Sequence, residues 1–265
     1  MSSNEPIGLL DSGLGGLSVM SAIRAEFPHE NLIYAADCGH APWGNRDDTF
    51  IAERVDAVVE YLLSRKIKAL VRACNTATAV SAERLRARLS IPVVGIEPAV
   101  LPAARATRTK VFGVMATVKT IESERYQRLK HLVEDPAIQI LDCPCPGLME
   151  CVEDGAFNTP ETRSLIASFV EPLLEKNIDQ LVLGCTHYPF LHDAIGEVAG
   201  PGVALINPAP AVARHLRTVL ADIDALASRQ EAGTDEYFVT GANALRERVL
   251  QTLTNPAAKL QNLDV

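Results

Sequence analysis

The chain has 265 residues, 48% of them hydrophobic and 22% charged, with a formal charge of −8 and a pI near 5.3. That length suits two domains, and the balance is that of an ordinary folded protein rather than a disordered one. The acidic charge argues against nucleic acid, whose recognition needs clustered Lys and Arg, and no apolar run approaches the roughly 20 residues that span a bilayer.

In chain order the sequence predicts short apolar strands at Ile7–Leu10, Leu32–Ala36, Ala69–Ala73, Val93–Ile96, Val111–Met115, Ile138–Leu141, Leu181–Gly184, Val203–Ile206 and Tyr237–Thr240. Most are unbroken apolar runs, the pattern of parallel strands covered on both faces. Amphipathic helices lie between them. Ile51, Val55, Val58, Val59, Leu62 and Leu63 fall at helical spacing. So do Leu165, Ile166, Phe169, Val170, Leu173 and Leu174, after a Thr159 cap and a first-turn Pro160. This alternation predicts an α/β protein with mostly parallel sheets.

The chain also repeats itself. "IKALVRACNTATA" from Ile67 and "IDQLVLGCTHYPF" from Ile178 both run from apolar residues into a cysteine and a threonine, and the two cysteines are 111 residues apart. "IGLLDSG" at Ile7 is echoed by "FGVMATV" at Phe112, and "VVGIEPA" at Val93 by "VALINPA" at Val203. The simplest account is two similar, doubly wound α/β halves with a cleft between them. Residues 1–98 and 209–265 would form a discontinuous first domain, and residues 99–208 the second.

Ligands of open α/β sheets bind beyond the carboxyl ends of the strands, and several such ends here are chemically loaded. Asp11-Ser12 precedes "GLGG", Cys74 precedes Asn75-Thr76, and Cys185 precedes Thr186-His187. "LMECVEDG" offers Glu153 near a turn, and the loop "HAPWGNR" is placed to close over the same region. Gly13 and Gly15 fit a dinucleotide fingerprint, but its third position is Ser18 and Asp11 would face the pyrophosphate. A tight turn offering backbone N–H groups to a smaller anion fits better.

The six cysteines, at 38, 74, 143, 145, 151 and 185, have no zinc-type spacing. The start "MSSNEP" lacks a secretion pattern, so the sequence predicts reduced thiols in a cytoplasm. Cys143, Cys145 and Cys151 read as small buried or loop residues. Cys74 and Cys185 read differently, since each closes a strand ahead of residues suited to start a helix. A thiol at a helix N-terminus has a lowered pKa. Two such thiols facing across a cleft can remove a proton from one face of a carbon and return one to the other. Asp11 would hydrogen-bond one thiol or a substrate amine, and His187 would assist the other thiol. Ser12, Asn75, Thr76 and Thr186 would supply neutral donors to carboxylates.

With "DSGLGGLSV", "APWGNR", "ACNTATA", "TIESERY" and "LGCTHYPFL" in order across nearly the whole chain, the sequence resembles the glutamate racemases of the cofactor-independent Asp/Glu racemase superfamily. The resemblance implies a pseudosymmetric two-domain fold, interconversion of L- and D-glutamate for peptidoglycan, and usually a homodimer. It implies no pyridoxal phosphate, metal, nucleotide, nucleic acid or membrane. By position, Cys74 and Cys185 match the two catalytic thiols, with Asp11, Glu153 and His187 as their acidic and imidazole partners. Ser12, Gly44, Asn75, Thr76 and Thr186 match substrate contacts.

There are departures from the family pattern. Trp43 stands where the family has Tyr, which spares only backbone contacts to substrate. Arg72 replaces an aliphatic strand residue and must snorkel or find a partner. "INPAPAVARHL" replaces a usual "IDSA" start, and the N-terminal extension linked to activation in some members is not expected. The rival readings are a related racemase of another substrate, such as aspartate, and a non-enzymatic two-lobed binding protein.

Overall fold

The computed structural model describes residues 4–265 and contains two parallel sheets. The strands are β1 (Ile7–Asp11), β2 (Leu32–Ala36), β3 (Ala69–Arg72), β4 (Val93–Gly95), β5 (Val111–Ala116), β6 (Gln139–Pro144), β7 (Gln180–Leu183), β8 (Ala204–Ile206), β9 (Asp235–Val239) and β10 (Leu260–Asn262). The first sheet has the order β10-β9-β2-β1-β3-β4 and the second β6-β5-β7-β8, and every pairing is parallel. The order β2-β1-β3-β4 is therefore repeated as β6-β5-β7-β8, which is the structural form of the sequence repeat. The C-terminal strands β9 and β10 extend the first sheet beyond β2.

Each sheet is covered on both faces, and residues alternate between two cores. In the first sheet Ile7, Leu9, Tyr34 and Val71 enter one core while Leu10, Ile33 and Leu70 enter the other. In the second, Phe112, Val114 and Val182 face one way and Met115, Leu181 and Leu183 the other. Burial on both faces explains the unbroken apolar runs, and it is what a doubly wound parallel sheet requires. The helix Ala209–Asp222 seats Val212, Ala213 and Leu216 in the same core as Leu17, Met20 and Ile23 of the helix Leu17–Glu26.

The predicted caps are present: Thr159 accepts from Thr162 N ahead of Pro160, and the helix runs Pro160–Leu174. The helix containing Ile51 to Leu62 spans Asp48–Ser64 and is capped by Asp47. Three expectations need correction. β10 has no counterpart among the sequence-predicted strands, because its three residues Leu260, Gln261 and Asn262 are mostly exposed and form no apolar run. The cysteines do not close their strands: β3 ends at Arg72 and β7 at Leu183, so each thiol stands two residues beyond the ladder. Cys185 is also not followed directly by an α-helix; a three-ten turn, Tyr188–Leu191, intervenes before the helix His192–Ala199. Among the described residues no helix is long and apolar enough to cross a membrane.

Candidate active site

Strand order places the site. β1 sits between β2 and β3, and β5 between β6 and β7. The chain therefore leaves the central strand in opposite directions at these two points, and such switch points open a crevice at the carboxyl ends. Asp11-Ser12 and Cys74 stand at the first switch point, and Thr117 and Cys185 at the second. The registers match: Leu10 pairs with Arg72, and Met115 with Leu183. Ser12 is thus the positional equivalent of Thr117, and Cys74 of Cys185.

One cavity of about 680 Å³, counted to its open mouth, joins the two switch points. Ser12, Cys74, Asn75 and Thr76 line it from the first half, and Thr117, Cys185, Thr186 and His187 from the second. Trp43 and Gly44, in the three-ten turn Trp43–Asn45, complete the wall, with Gly44 lying against Thr117. The halves also meet by hydrogen bonds: Thr76 Oγ1 lies 3.2 Å from Thr117 Oγ1, and Ser18 Oγ donates to Thr186 O at 2.8 Å.

Cys74 is itself the N-cap of the helix Asn75–Arg88, its Sγ accepting from Ala77 N at 3.4 Å. Ser12 Oγ lies 3.6 Å from the same sulfur. The expected lowering of the thiol's pKa does not follow. Burial and the nearby Asp11 carboxyl push the Cys74 thiol up, and the Ala77 N–H and Ser12 only partly offset them. Cys185 faces an imidazole instead: its Sγ is 3.6 Å from His187 Nδ1, and His187 Nε2 is 2.8 Å from Glu153 Oε1. Burial opposes charge on His187, but the hydrogen bonds and charges of Cys185 and Glu153 prevail and hold its pKa well above the ordinary value. Burial likewise opposes ionisation of Glu153, yet its pKa is lowered by His187, Leu14 N–H and Arg246.

Asp11 and Glu153 stand one layer behind the cavity wall. Asp11 is fully buried and its pKa is raised to about 6 by that burial, against the charge of His187 and the N–H groups of Ser12 and Gly16. The glycine-rich turn does bind anions through its backbone, and the anions are the protein's own. Ser12 N donates to Asp11 Oδ1 at 2.7 Å, Gly16 N to Asp11 Oδ2, and Leu14 N to Glu153 Oε1 at 2.6 Å. A Cβ at Gly13 would collide with the Glu153 carboxylate, and one at Gly15 with the His187 ring, so close approach demands glycine at both. Asp37, just past β2, is held by Arg54, His40 and Thr240.

Sequence reasoning missed Thr117, Cys145 and Tyr188 in the cavity wall. It also missed Tyr34, whose buried hydroxyl donates to Gly13 O at 2.5 Å and so fixes the turn. The repeat contained the clue for Thr117, since "FGVMATV" places it opposite Ser12 of "IGLLDSG". Cys145 and Tyr188 carry no such mark. Cys145 lies 3.8 Å from Cys143, sulfur to sulfur, and both are buried as expected.

Two α/β halves meeting at their switch points, with one thiol from each in a shared cavity, define an architecture suited to proton transfer on two faces of a small molecule. The sequence profile of the Asp/Glu/hydantoin racemase family matches residues 16–216, and the chain belongs to that family. It is 44% identical over 259 residues to the glutamate racemase of Ectopseudomonas mendocina, covering 97% of this chain and 98% of the relative. Its structure matches a glutamate racemase isoform from Bacillus anthracis with a TM-score of 0.90 at 33% identity, covering 99% and 98% of the two chains. It matches Escherichia coli glutamate racemase, solved with L-glutamate and the activator UDP-MurNAc-Ala, with a TM-score of 0.85 at 31% identity over 98% and 99%. The chain is accordingly an isomerase of the amino-acid racemase class.

Proposed function

We propose that the chain interconverts L- and D-glutamate by proton transfer at Cα between two thiols, and that it supplies D-glutamate for peptidoglycan. The observation that carries this reading is the pairing of Cys74 and Cys185 at equivalent strand ends on one cavity, each with its own partners. In this mechanism one cysteine, as thiolate, takes the Cα proton from one face. The opposite cysteine, as thiol, returns a proton to the other face, and the two exchange protonation states. A thiolate at Cys185 is stabilised by the His187 imidazolium, which Glu153 orients and charges. A thiolate at Cys74 receives the Ala77 N–H and Ser12.

Substrate carboxylates suit the neutral donors on both walls. Asn75 is 6% exposed, yet neither its amide oxygen nor its nitrogen has a partner among the described groups. An unpaired buried amide is costly, so a polar ligand in the cavity relieves a strain the protein otherwise carries. Asp11 acts from behind Ser12 as a positioning group for Cys74 rather than as a wall contact. The family resemblance assigns deprotonation of D-glutamate to Cys74 and of L-glutamate to Cys185. The same reading takes 1–98 with 209–265 and 99–208 as the two domains whose facing walls form the cavity.

The experiment is exchange in D₂O. Incubation with either glutamate enantiomer should place deuterium at Cα of the product, and aspartate should exchange far more slowly. Cys74→Ala and Cys185→Ala should each abolish racemisation. Racemisation surviving either substitution would remove the two-thiol mechanism, and preference for aspartate would change the substrate.

A further inference from the structure

The two thiols are not served alike. Cys185 has a cation within hydrogen-bonding distance, His187. Cys74 has no imidazole among its hydrogen-bond partners, and the cation nearest to it in the chain is the last residue of β3. Arg72 is two residues before Cys74, on the same face of the sheet, and is fully buried. Its counterpart in the second half, by register against the central strand, is the apolar Leu183. A guanidinium in place of an aliphatic residue in a doubly covered parallel strand is costly unless something uses it.

The geometry points to Arg72 as the positioning cation of the Cys74 half: through Ser81 it braces the first turn of the helix Asn75–Arg88, holding the Ala77 N–H against the Cys74 sulfur and setting a positive charge behind the thiolate. The connection is continuous. Arg72 Nη1 donates to Ser81 Oγ at 3.3 Å, Ser81 Oγ donates to Ala77 O at 2.6 Å, and Ala77 N donates to Cys74 Sγ at 3.4 Å. Arg72 and Ser81 are both fully buried, so little solvent screens the charge. The room for the guanidinium is built in. Gly95 is the residue paired with Arg72 on β4, and a Cβ there would lie 2.7 Å from Arg72 Nη2.

The charges around the relay favour this role. Burial lowers the Arg72 pKa to about 9, and Arg86 and Arg125 add repulsion, while Glu97 and Cys74 oppose it; the group still carries its proton at neutral pH. Glu97 itself pairs with Arg125. Facing Cys74 are Asp11 and Cys185, and both make its ionisation harder. Arg72 and Cys74 favour each other's charge, an attraction on this side that opposes them.

The inference rests on the two-thiol reading, but its test needs no turnover. Alkylation by iodoacetamide is followed from pH 6 to 11 in the full-length protein, with the peptides carrying Cys74 and Cys185 quantified separately by mass spectrometry. In Arg72→Met the alkylation of Cys74 at pH 7.5 should slow about tenfold or more, the equivalent of a rise of about one unit in the thiol's pKa. Cys185 should not move, and Arg72→Lys should restore most of the Cys74 profile. Ser81→Ala keeps the charge and breaks the relay, so it should shift Cys74 alone, by less. It also serves if Arg72→Met does not fold. An unchanged Cys74 alkylation rate across the pH range in Arg72→Met, or in Ser81→Ala when the former is insoluble, overturns the assignment. So does an equal shift of both cysteines, which would mark a general structural effect. If the wild-type protein fails to racemise glutamate, the substrate reading falls while the alkylation profiles still decide the role of Arg72.

Discussion

His187 Nε2 and Glu153 Oε1 stand 2.8 Å apart, where the last residue of the short helix Leu148–Glu153 reaches the strand-end turn that carries Cys185. The pair is buried on the imidazole side and nearly so on the carboxylate side, with side-chain exposures of 3% and 16%. The turn Gly13–Gly16 closes over it, through Leu14 N on Glu153. Glu153 therefore ties the turn of the first half, through Leu14 N, to the base of the Cys185 side, through His187.

Glu153→Gln should lower the pKa of His187 and reduce turnover by one to two orders of magnitude, with the fold retained. The imidazolium is raised above its unfolded value, so its contribution to stability is complete below about pH 6.5 and is lost as pH rises through the folded pKa. Glu153 is lowered, so its contribution is present above about pH 4.5 and is lost as pH falls through its folded pKa. The substitution should thus cost about 1–3 kcal/mol between those limits and progressively less as the pH falls through the folded pKa of Glu153. Histidine NMR titration and urea unfolding at several pH values measure both effects. An unshifted His187 resonance would separate Glu153 from the base.

Asp11 should weaken the fold as it ionises. Its folded pKa of about 6 lies above the unfolded 3.8, so the protonated form is the one the folded state prefers. Stability attributable to this group is intact below pH 3.8 and is lost between there and about pH 6, to the extent of roughly 3 kcal/mol. Relative to Asp11→Asn, the wild-type protein should therefore lose stability by about that amount between pH 4 and pH 7. Unfolding midpoints of the two proteins at both pH values provide the check. A constant difference would mean that Asp11 does not titrate in this window.

Trp43 is the sole tryptophan of the chain, it is 1% exposed, and it lines the cavity. Its emission should respond to D- or L-glutamate in a saturable way, with no contribution from elsewhere. Cys74→Ala should keep the response while losing turnover. A silent titration at concentrations that saturate turnover would place the substrate away from this wall.

Gly15→Ala should abolish activity by a hundredfold or more while leaving the circular dichroism of the protein unchanged. The new methyl group would occupy the space of the His187 ring, and the backbone turn has little freedom to withdraw because Ser12, Leu14 and Gly16 are bound to carboxylates. Gly202→Ala, where nothing lies within 4 Å of a Cβ, is the matched control and should be silent. Full activity in Gly15→Ala would show that the His187 ring can leave its position without loss.

The sequence by itself determined the architecture and most of the site. Unbroken apolar runs can be buried only between two helical layers, and so nine of the strands and the parallel class were legible in the linear pattern. The internal repeat exposed the two equivalent strand ends, and hence Cys74 and Cys185, because equal local sequence gives equal local structure. What it could not carry was whatever depends on a neighbour distant in the chain. The three residues of β10 become a strand only because β9 offers them an edge. Asp11 and Glu153 bear the right chemistry, but only packing decides that they lie behind the cavity wall with the backbone N–H groups of the glycine-rich turn. The rise in the Cys74 thiol is likewise a tertiary effect: a helix N-terminus alone would lower it, and burial beside a second acid reverses the sign. Arg72 shows the same division, since the sequence marks it only as an unexpected charge in a strand, and the helix packed above it supplies Ser81 and the line to Cys74.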